Sequence, residues 1–190
     1  IKVNNQVFNE NIEDKTIENV ENFAKDWGEK IVAKVGEVRF TSLEEAVATA
    51  KNGDTIELTK NIDFTKKYES GVNYIATCVI DLSEKTFDLC GYSITTNNFS
   101  VVFDGSNYTI QNGSFICANN GAYALFIGDS GDGENENVVV DNVSCTGGIN
   151  LFATKNVVIK ESKFTKTQGG DYYAVWADPG AEIIIEGGSY

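Results

Sequence analysis

Tyr108-Thr-Ile-Gln-Asn-Gly-Ser-Phe115 returns as Val138-Val-Val-Asp-Asn-Val-Ser-Cys145, again as Val157-Val-Ile-Lys-Glu-Ser-Lys-Phe164, and once more as Ile183-Ile-Ile-Glu-Gly-Gly-Ser-Tyr190. Phe87-Asp-Leu-Cys-Gly-Tyr-Ser-Ile94 is a looser copy ahead of them. A second motif falls between the copies: Val101-Val-Phe-Asp-Gly105, Ala124-Leu-Phe-Ile-Gly128, Asn150-Leu-Phe-Ala-Thr154 and Ala174-Val-Trp-Ala-Asp178. The two alternate strictly at a period of roughly 19–30 residues, and such self-similarity marks a stacked-repeat architecture.

Within each copy the periodicity is that of a strand, helix formers are scarce, and Gly and Asn punctuate the ends. Leucine-rich repeats are disfavoured because their Leu spacing is missing. The pattern therefore predicts an all-β solenoid, a parallel β-helix whose coils stack about 4.8 Å apart. Aligning the copies assigns the faces. Tyr108, Val138, Val157 and Ile183 should form one inward column, and Ile110, Val140, Ile159 and Ile185 a second. Asp141, Lys160 and Glu186 should point outward as a ladder of alternating charge, and Asn112 and Asn142 should meet at a turn. Alignment of the second motif places Phe103, Phe126, Phe152 and Trp176 in one aromatic column inside the core.

Upstream, residues 31–54 read as a cap and residues 55–190 as stacked coils, so the β-helix domain spans 31–190. The cap begins with two short β runs around Gly36. A single short helix follows, with Ser42 and Glu45 as a capping box, an apolar stripe of Leu43, Ala46, Val47 and Ala50, and a left-handed stop at Asn52-Gly53. Residues 1–30 are polar and nearly free of glycine. There Ile17, Val20, Phe23, Ala24 and Trp27 share the face of a helix starting near Thr16, which reads as a linker or an N-terminal helix.

Charge excludes some partners. The 190 residues carry 28 acidic and 15 basic side chains, a formal net charge of −13. Nucleic acid and anionic membrane surfaces both require the opposite sign. No apolar window is long enough to span a bilayer, so membrane insertion is not expected. There is no histidine, which removes the commonest general base and metal ligand and any Ser/His or Cys/His nucleophile pair. Cys78, Cys90, Cys117 and Cys145 contain no CxxC spacing, and without histidine zinc would need all four. They read as buried small hydrophobes or as disulfides, and the sequence does not choose.

Ile31 to Ile62, with its Val35-Gly-Glu-Val-Arg-Phe-Thr-Ser-Leu-Glu-Glu-Ala-Val core, resembles the N-terminal cap of pectate-lyase-like right-handed parallel β-helix domains. Such domains occur in large surface proteins of bacteria of the Firmicutes type. Asp88-Leu-Cys-Gly-Tyr-Ser-Ile94 is similar to that group's Asp-Leu-Asn-Gly-His-Thr-Ile turn, with Cys90 in place of Asn, and residues 173–190 resemble its repeating unit. The resemblance implies a right-handed helix with a helical and hairpin cap, and an extracellular or cell-surface location in a bacterium. For function it implies little, because lyases, hydrolases, adhesins and phage tailspikes share the fold.

No catalytic set assembles. The resemblance implies calcium-binding carboxylates with an Arg or Lys base for a lyase, yet the single arginine, Arg39, falls in the cap. Lys155, Lys160, Lys163 and Lys166 read as a solvated face, and Asp104, Asp129 and Asp178 as turn residues, although they occupy similar positions after the aromatic strands. The segment from Gly128 to Asn137 is longer than its counterparts and brings Asp129, Asp132, Glu134 and Glu136 together among glycines. These are the candidate ligands should calcium bind; the pattern is not that of an EF-hand loop. Tyr172 and Tyr173, with Asp178 nearby, are the candidate ligand-binding residues, since exposed tyrosines stack on sugar rings.

The sequence thus reads as a non-catalytic display or adhesion module binding a polysaccharide or a host or cell-surface protein. Two alternatives remain: a carbohydrate-active enzyme, lyase or glycoside hydrolase, with further catalytic residues outside this stretch, and a phage tailspike segment. Tyr190 closes a strand with no cap after it, so the sequence reads as truncated at its C-terminus, or as self-associating through an open edge.

Overall fold

A computed structural model describes residues 2–3, 6–7, 25, 28–67, 78–96, 101–118, 123–128, 135–165 and 173–190. The helical face read over Ile17 to Trp27, the loop carboxylates Asp129, Asp132 and Glu134, Lys166 and Tyr172 lie outside the described residues.

The fold is all-β with parallel sheets. Strands β1 (Lys2–Val3) and β2 (Gln6–Val7) pair antiparallel, and β2 meets β4 (Val38–Phe40), which forms an antiparallel hairpin with β3 (Ala33–Val35) beside a short helix α1 (Leu43–Thr49). Strand β5 (Thr55–Leu58) pairs antiparallel with β3 and parallel with β8 (Thr86–Asp88), so the hairpin covers one end of the parallel array. Ser42 caps α1 by accepting the Glu45 N–H at 3.2 Å. The helix ends sooner than expected. Its C-cap, Ala50, is extended, and the left-handed Gly53 belongs to a separate turn whose N–H donates to Glu84 O.

Beyond the cap the long strands pair strictly in parallel, each with its counterpart in the next repeat. These are β11 (Tyr108–Cys117), β13 (Asn135–Thr146), β15 (Thr154–Lys160) and β18 (Ile183–Glu186). The register is the one read from the repeats: Ile110 opposes Val140, Val140 opposes Ile159, and Ile159 opposes Ile185. The first three are fully buried and Ile185 is 48% exposed. The outward column is longer than expected. It runs Lys34, Glu57, Asp88, Gln111, Asp141, Lys160, Glu186 across successive strands, with ion pairs Lys34–Glu57 at 3.0 Å and Lys160–Glu186 at 4.0 Å.

The repeats bend at an aligned left-handed position. Asn112, Asn142 and Glu161 have φ of 58°, 52° and 41° and are aligned. Asparagine tolerates this conformation, and stacking adds a bond: Asn142 Nδ2 donates to Asn112 Oδ1 at 3.1 Å, and Asn112 Nδ2 to Asp88 Oδ2 at 3.0 Å. A second such ladder joins Glu84, Asn107, Asn137 and Asn156, all left-handed. Past the bend, β6 (Ile62–Asp63), β9 (Ser93–Thr96), β11, β13 and β16 (Lys163–Thr165) continue in parallel.

The looser copy keeps register only in this half. Ser93 opposes Ser114, but Phe87 opposes Ile110 rather than Tyr108, because the Leu89–Tyr92 turn holds two more residues than the Asn112–Gly113 bend. A slip of two preserves the face, so Phe87 is still buried. Gly113 lets that turn in: a Cβ there would lie 2.3 Å from Leu89 Cβ.

Facing these strands is a five-stranded parallel sheet of β7 (Cys78–Asp81), β10 (Val101–Asp104), β12 (Leu125–Ile127), β14 (Ile149–Leu151) and β17 (Val175–Ala177). The core between the sheets is continuous from Leu43 and Ala46 through Phe87, Phe103 and Phe115 to Phe164. Cys90, Cys117 and Cys145 are free thiols, so no disulfide forms among them.

Candidate functional face of the five-stranded sheet

The expected aromatic column does not exist. Phe103 opposes Ile127, Leu151 and Ala177, and these face the core. Phe126 opposes Val102 and Asn150, and Asn150 opposes Trp176. The second motif is therefore aligned one residue away from the reading that matched its aromatic residues. With a side-chain period of two, that slip exchanges the faces. Phe126 and Trp176 sit on the outside of the sheet, in the column Val79, Val102, Phe126, Asn150, Trp176. Phe152 lies beyond β14, at the turn position shared with Asp104, Gly128 and Asp178.

This outward column carries a second apolar cluster, separate from the core. Val102, Phe126 and Tyr123 are nearly fully buried, and half-buried Trp176 packs against them. Tyr123 meets Phe126 edge to face, ring centroids 5.9 Å apart, and its hydroxyl accepts the Tyr173 N–H at 3.4 Å. Tyr173 is thereby anchored by its backbone while its side chain is 64% exposed. Between Phe126 and Trp176 stands Asn150, whose amide hydrogen-bonds to nothing else among the described residues. Amide and aromatic groups thus alternate on adjacent strands, at the strand spacing of about 4.8 Å.

Of the residues singled out from sequence, Tyr173 and Asp178 flank this face, at either end of β17. Asp178 is half-buried and structural in part: its Oδ2 accepts the Ala153 N–H at 3.0 Å. Asp104 and Asp178 do not converge. Gly128 and Phe152 occupy the two positions between them. Asp104 instead stands in register with Asp81, whose carboxyl is held below the usual range by its hydrogen bonds from Ser83, against the opposing effect of burial. Glu136 is in strand β13 opposite Lys155, and its N–H donates to Ser106 Oγ at 3.2 Å. Arg39 is in β4 opposite Lys34, within the cap.

Sequence reasoning missed the outward placement of Phe126, Asn150 and Trp176. The signal was present. Ile149 and Leu151 bracket Asn150, and Val175 and Ala177 bracket Trp176; alternation alone places the bracketed residue outside.

Among the described residues no helix is long and apolar enough to cross a membrane, and no group of three or more acidic or cysteine side chains could hold a metal ion. No protein-family model, no curated protein and no solved structure matches the chain.

Proposed function

We propose that the chain is a right-handed parallel β-helix module, displayed at a bacterial surface, that binds glycans without turning them over. Support for the helix is the pairing of every repeat with the next in parallel register on two facing sheets. Support for glycan binding rests on one observation above all: half-buried Asn150 and Trp176 stand side by side on the outside of the five-stranded sheet, backed by buried Phe126 and Tyr123, with exposed Tyr173 beside them. Aromatic faces take the apolar faces of sugar rings, and a free amide beside them can donate to and accept from ring hydroxyls.

The test is a glycan array followed by calorimetry on the best hit, with Trp176→Ala and Tyr173→Ala as variants. Each variant should weaken binding by about 1–3 kcal/mol, the scale of one aromatic contact. Wild-type binding that both variants retain in full refutes the assignment. Cleavage of the bound polymer refutes the non-catalytic role.

A further inference from the structure

Three buried polar atoms find no partner among the described residues: Tyr108 Oη, Asn135 Oδ1 and Thr154 Oγ1. Each belongs to a residue no more than 3% exposed. They border one inner corner of the core, where the five-stranded sheet turns into the long strands. Asn135 and Thr154 open β13 and β15 and oppose each other directly. Counting back three residues from the Tyr108–Val138 and Val157–Ile183 pairs, Gly105 holds the same position one coil earlier and Gly180 one coil later. Ahead of Gly105 the column holds Leu82, fully buried, whose N–H donates to Asp104 O. Two polar side chains thus occupy an inward position that an aliphatic one fills earlier in the stack. Tyr108 opens β11 and reaches the same corner. Burial raises its hydroxyl pKa well above the usual value, and the charges of Asp104 and Asp81, which stand at that corner, add to the effect.

We infer that this corner is a binding site for a trapped water molecule, which bridges the Thr154 hydroxyl to the Asn135 side-chain oxygen with the Tyr108 hydroxyl as third partner. Unpaired hydroxyls and amides inside a core are costly, and a buried water makes about three hydrogen bonds to such groups. The chemistry matches. Tyr108 and Thr154 each have a proton to donate, and Asn135 Oδ1 only accepts. Water accepts two hydrogen bonds and donates in return. Opposed residues on adjacent strands stand about 4.8 Å apart, a span that one water closes. Ions fit badly. An anion is repelled by Asp81, Asp104 and the net charge of −13. A metal cation meets only neutral oxygens in this set, and two of them are hydroxyls. The bound water ties Asn135, where the connection from Gly128 rejoins the coil, to the coil stacked on it. The site shares no residue with the outer face of the five-stranded sheet and does not depend on what binds there.

Thr154→Val keeps the shape of the side chain and removes its hydroxyl, and the sign of the effect separates a wet corner from a dry one. With water bound, the variant strips it of a partner, and the melting temperature should fall by about 2–4 °C. In a dry corner the variant only removes an unpaired hydroxyl, so an unchanged or raised melting temperature overturns the assignment. The water itself is counted by oxygen-17 relaxation dispersion, which ignores proton exchange from hydroxyls. Asn135→Leu combined with Thr154→Val makes the corner apolar, as it is at Leu82, and should lower the number of long-lived waters by one. An equal number in wild type and double variant overturns the site. A wild-type crystal structure should show a solvent peak about 2.7–3.2 Å from both Asn135 Oδ1 and Thr154 Oγ1, and no peak there overturns the site without recourse to any variant.

Discussion

Replacing Ile159 by alanine removes the branched part of a side chain that is 0% exposed and flanked in register by Val140 and Ile185. Three buried carbons at about 0.8 kcal/mol each give about 2.4 kcal/mol of lost transfer free energy. The neighbours on either side are fixed by strand pairing and cannot close the gap. A cavity cost is therefore added, and the total should be about 3–4 kcal/mol. Ile185→Ala makes the same truncation in the same column, but Ile185 is 48% exposed, so it should cost about 1 kcal/mol. Val158 adjoins Ile159 on the opposite face, between Val139 and Ile184, and Val158→Ala should cost less than about 1 kcal/mol. Urea unfolding, followed by circular dichroism and with m-values checked for equality, gives all three differences. A Val158→Ala loss equal to or above that of Ile159→Ala would refute the assignment of faces. Equal losses for Ile159→Ala and Ile185→Ala would refute the burial gradient along the column.

Two further outcomes follow from the charge column. Cys90 is exposed, yet partial burial of its thiol and the neighbouring Asp88 carboxylate push its pKa up to about 11. It should react with iodoacetamide at about pH 8 on the order of tenfold more slowly than free cysteine, the thiolate deficit being partly offset by greater nucleophilicity. Asp88→Asn should speed the reaction, and wild-type reactivity equal to free cysteine, with Cys90→Ala as the blank, would contradict the geometry. At Asp88 burial opposes ionisation, but hydrogen bonds from Gln111, the Cys90 N–H and Asn112 outweigh it and hold the carboxyl below the usual range. A lowered folded-state pKa contributes stability in full above the unfolded value of about 3.9, lost as pH falls through the folded value. The melting temperature should therefore drop more steeply below about pH 4 in wild type than in Asp88→Asn; parallel curves would show that Asp88 contributes nothing.

The columns of the long strands were legible because two signals agree there. Val138-Val-Val140 and Val157-Val-Ile159 match in aliphatic character position for position, and the aligned Asn112 and Asn142 mark the turn. The five-stranded sheet was misread because its strands are only three or four residues long, and matching Phe103 to Phe126 outweighed the alternation around Asn150. Such short strands fix register through their neighbours, which a single sequence does not contain. The end of α1 was misplaced for a related reason. Asn52-Gly53 is a strong stop signal, but the backbone turns extended at Ala50 so that Gly53 can donate to Glu84, thirty-one residues away.

Parallel in-register stacking is the premise of the proposed fold and site, and disulfide trapping tests it directly. In a Cys90→Ala background, Val139→Cys with Val158→Cys places two thiols on directly opposed outward positions. Their Cα atoms should be about 4.8 Å apart, inside the range a disulfide bridges. Val139→Cys with Lys160→Cys is two residues out of register on the same face, at about 8 Å and beyond that range. The first pair should oxidise to a cross-linked monomer and the second should not. Efficient cross-linking of the second pair alone, or of neither, would contradict the register.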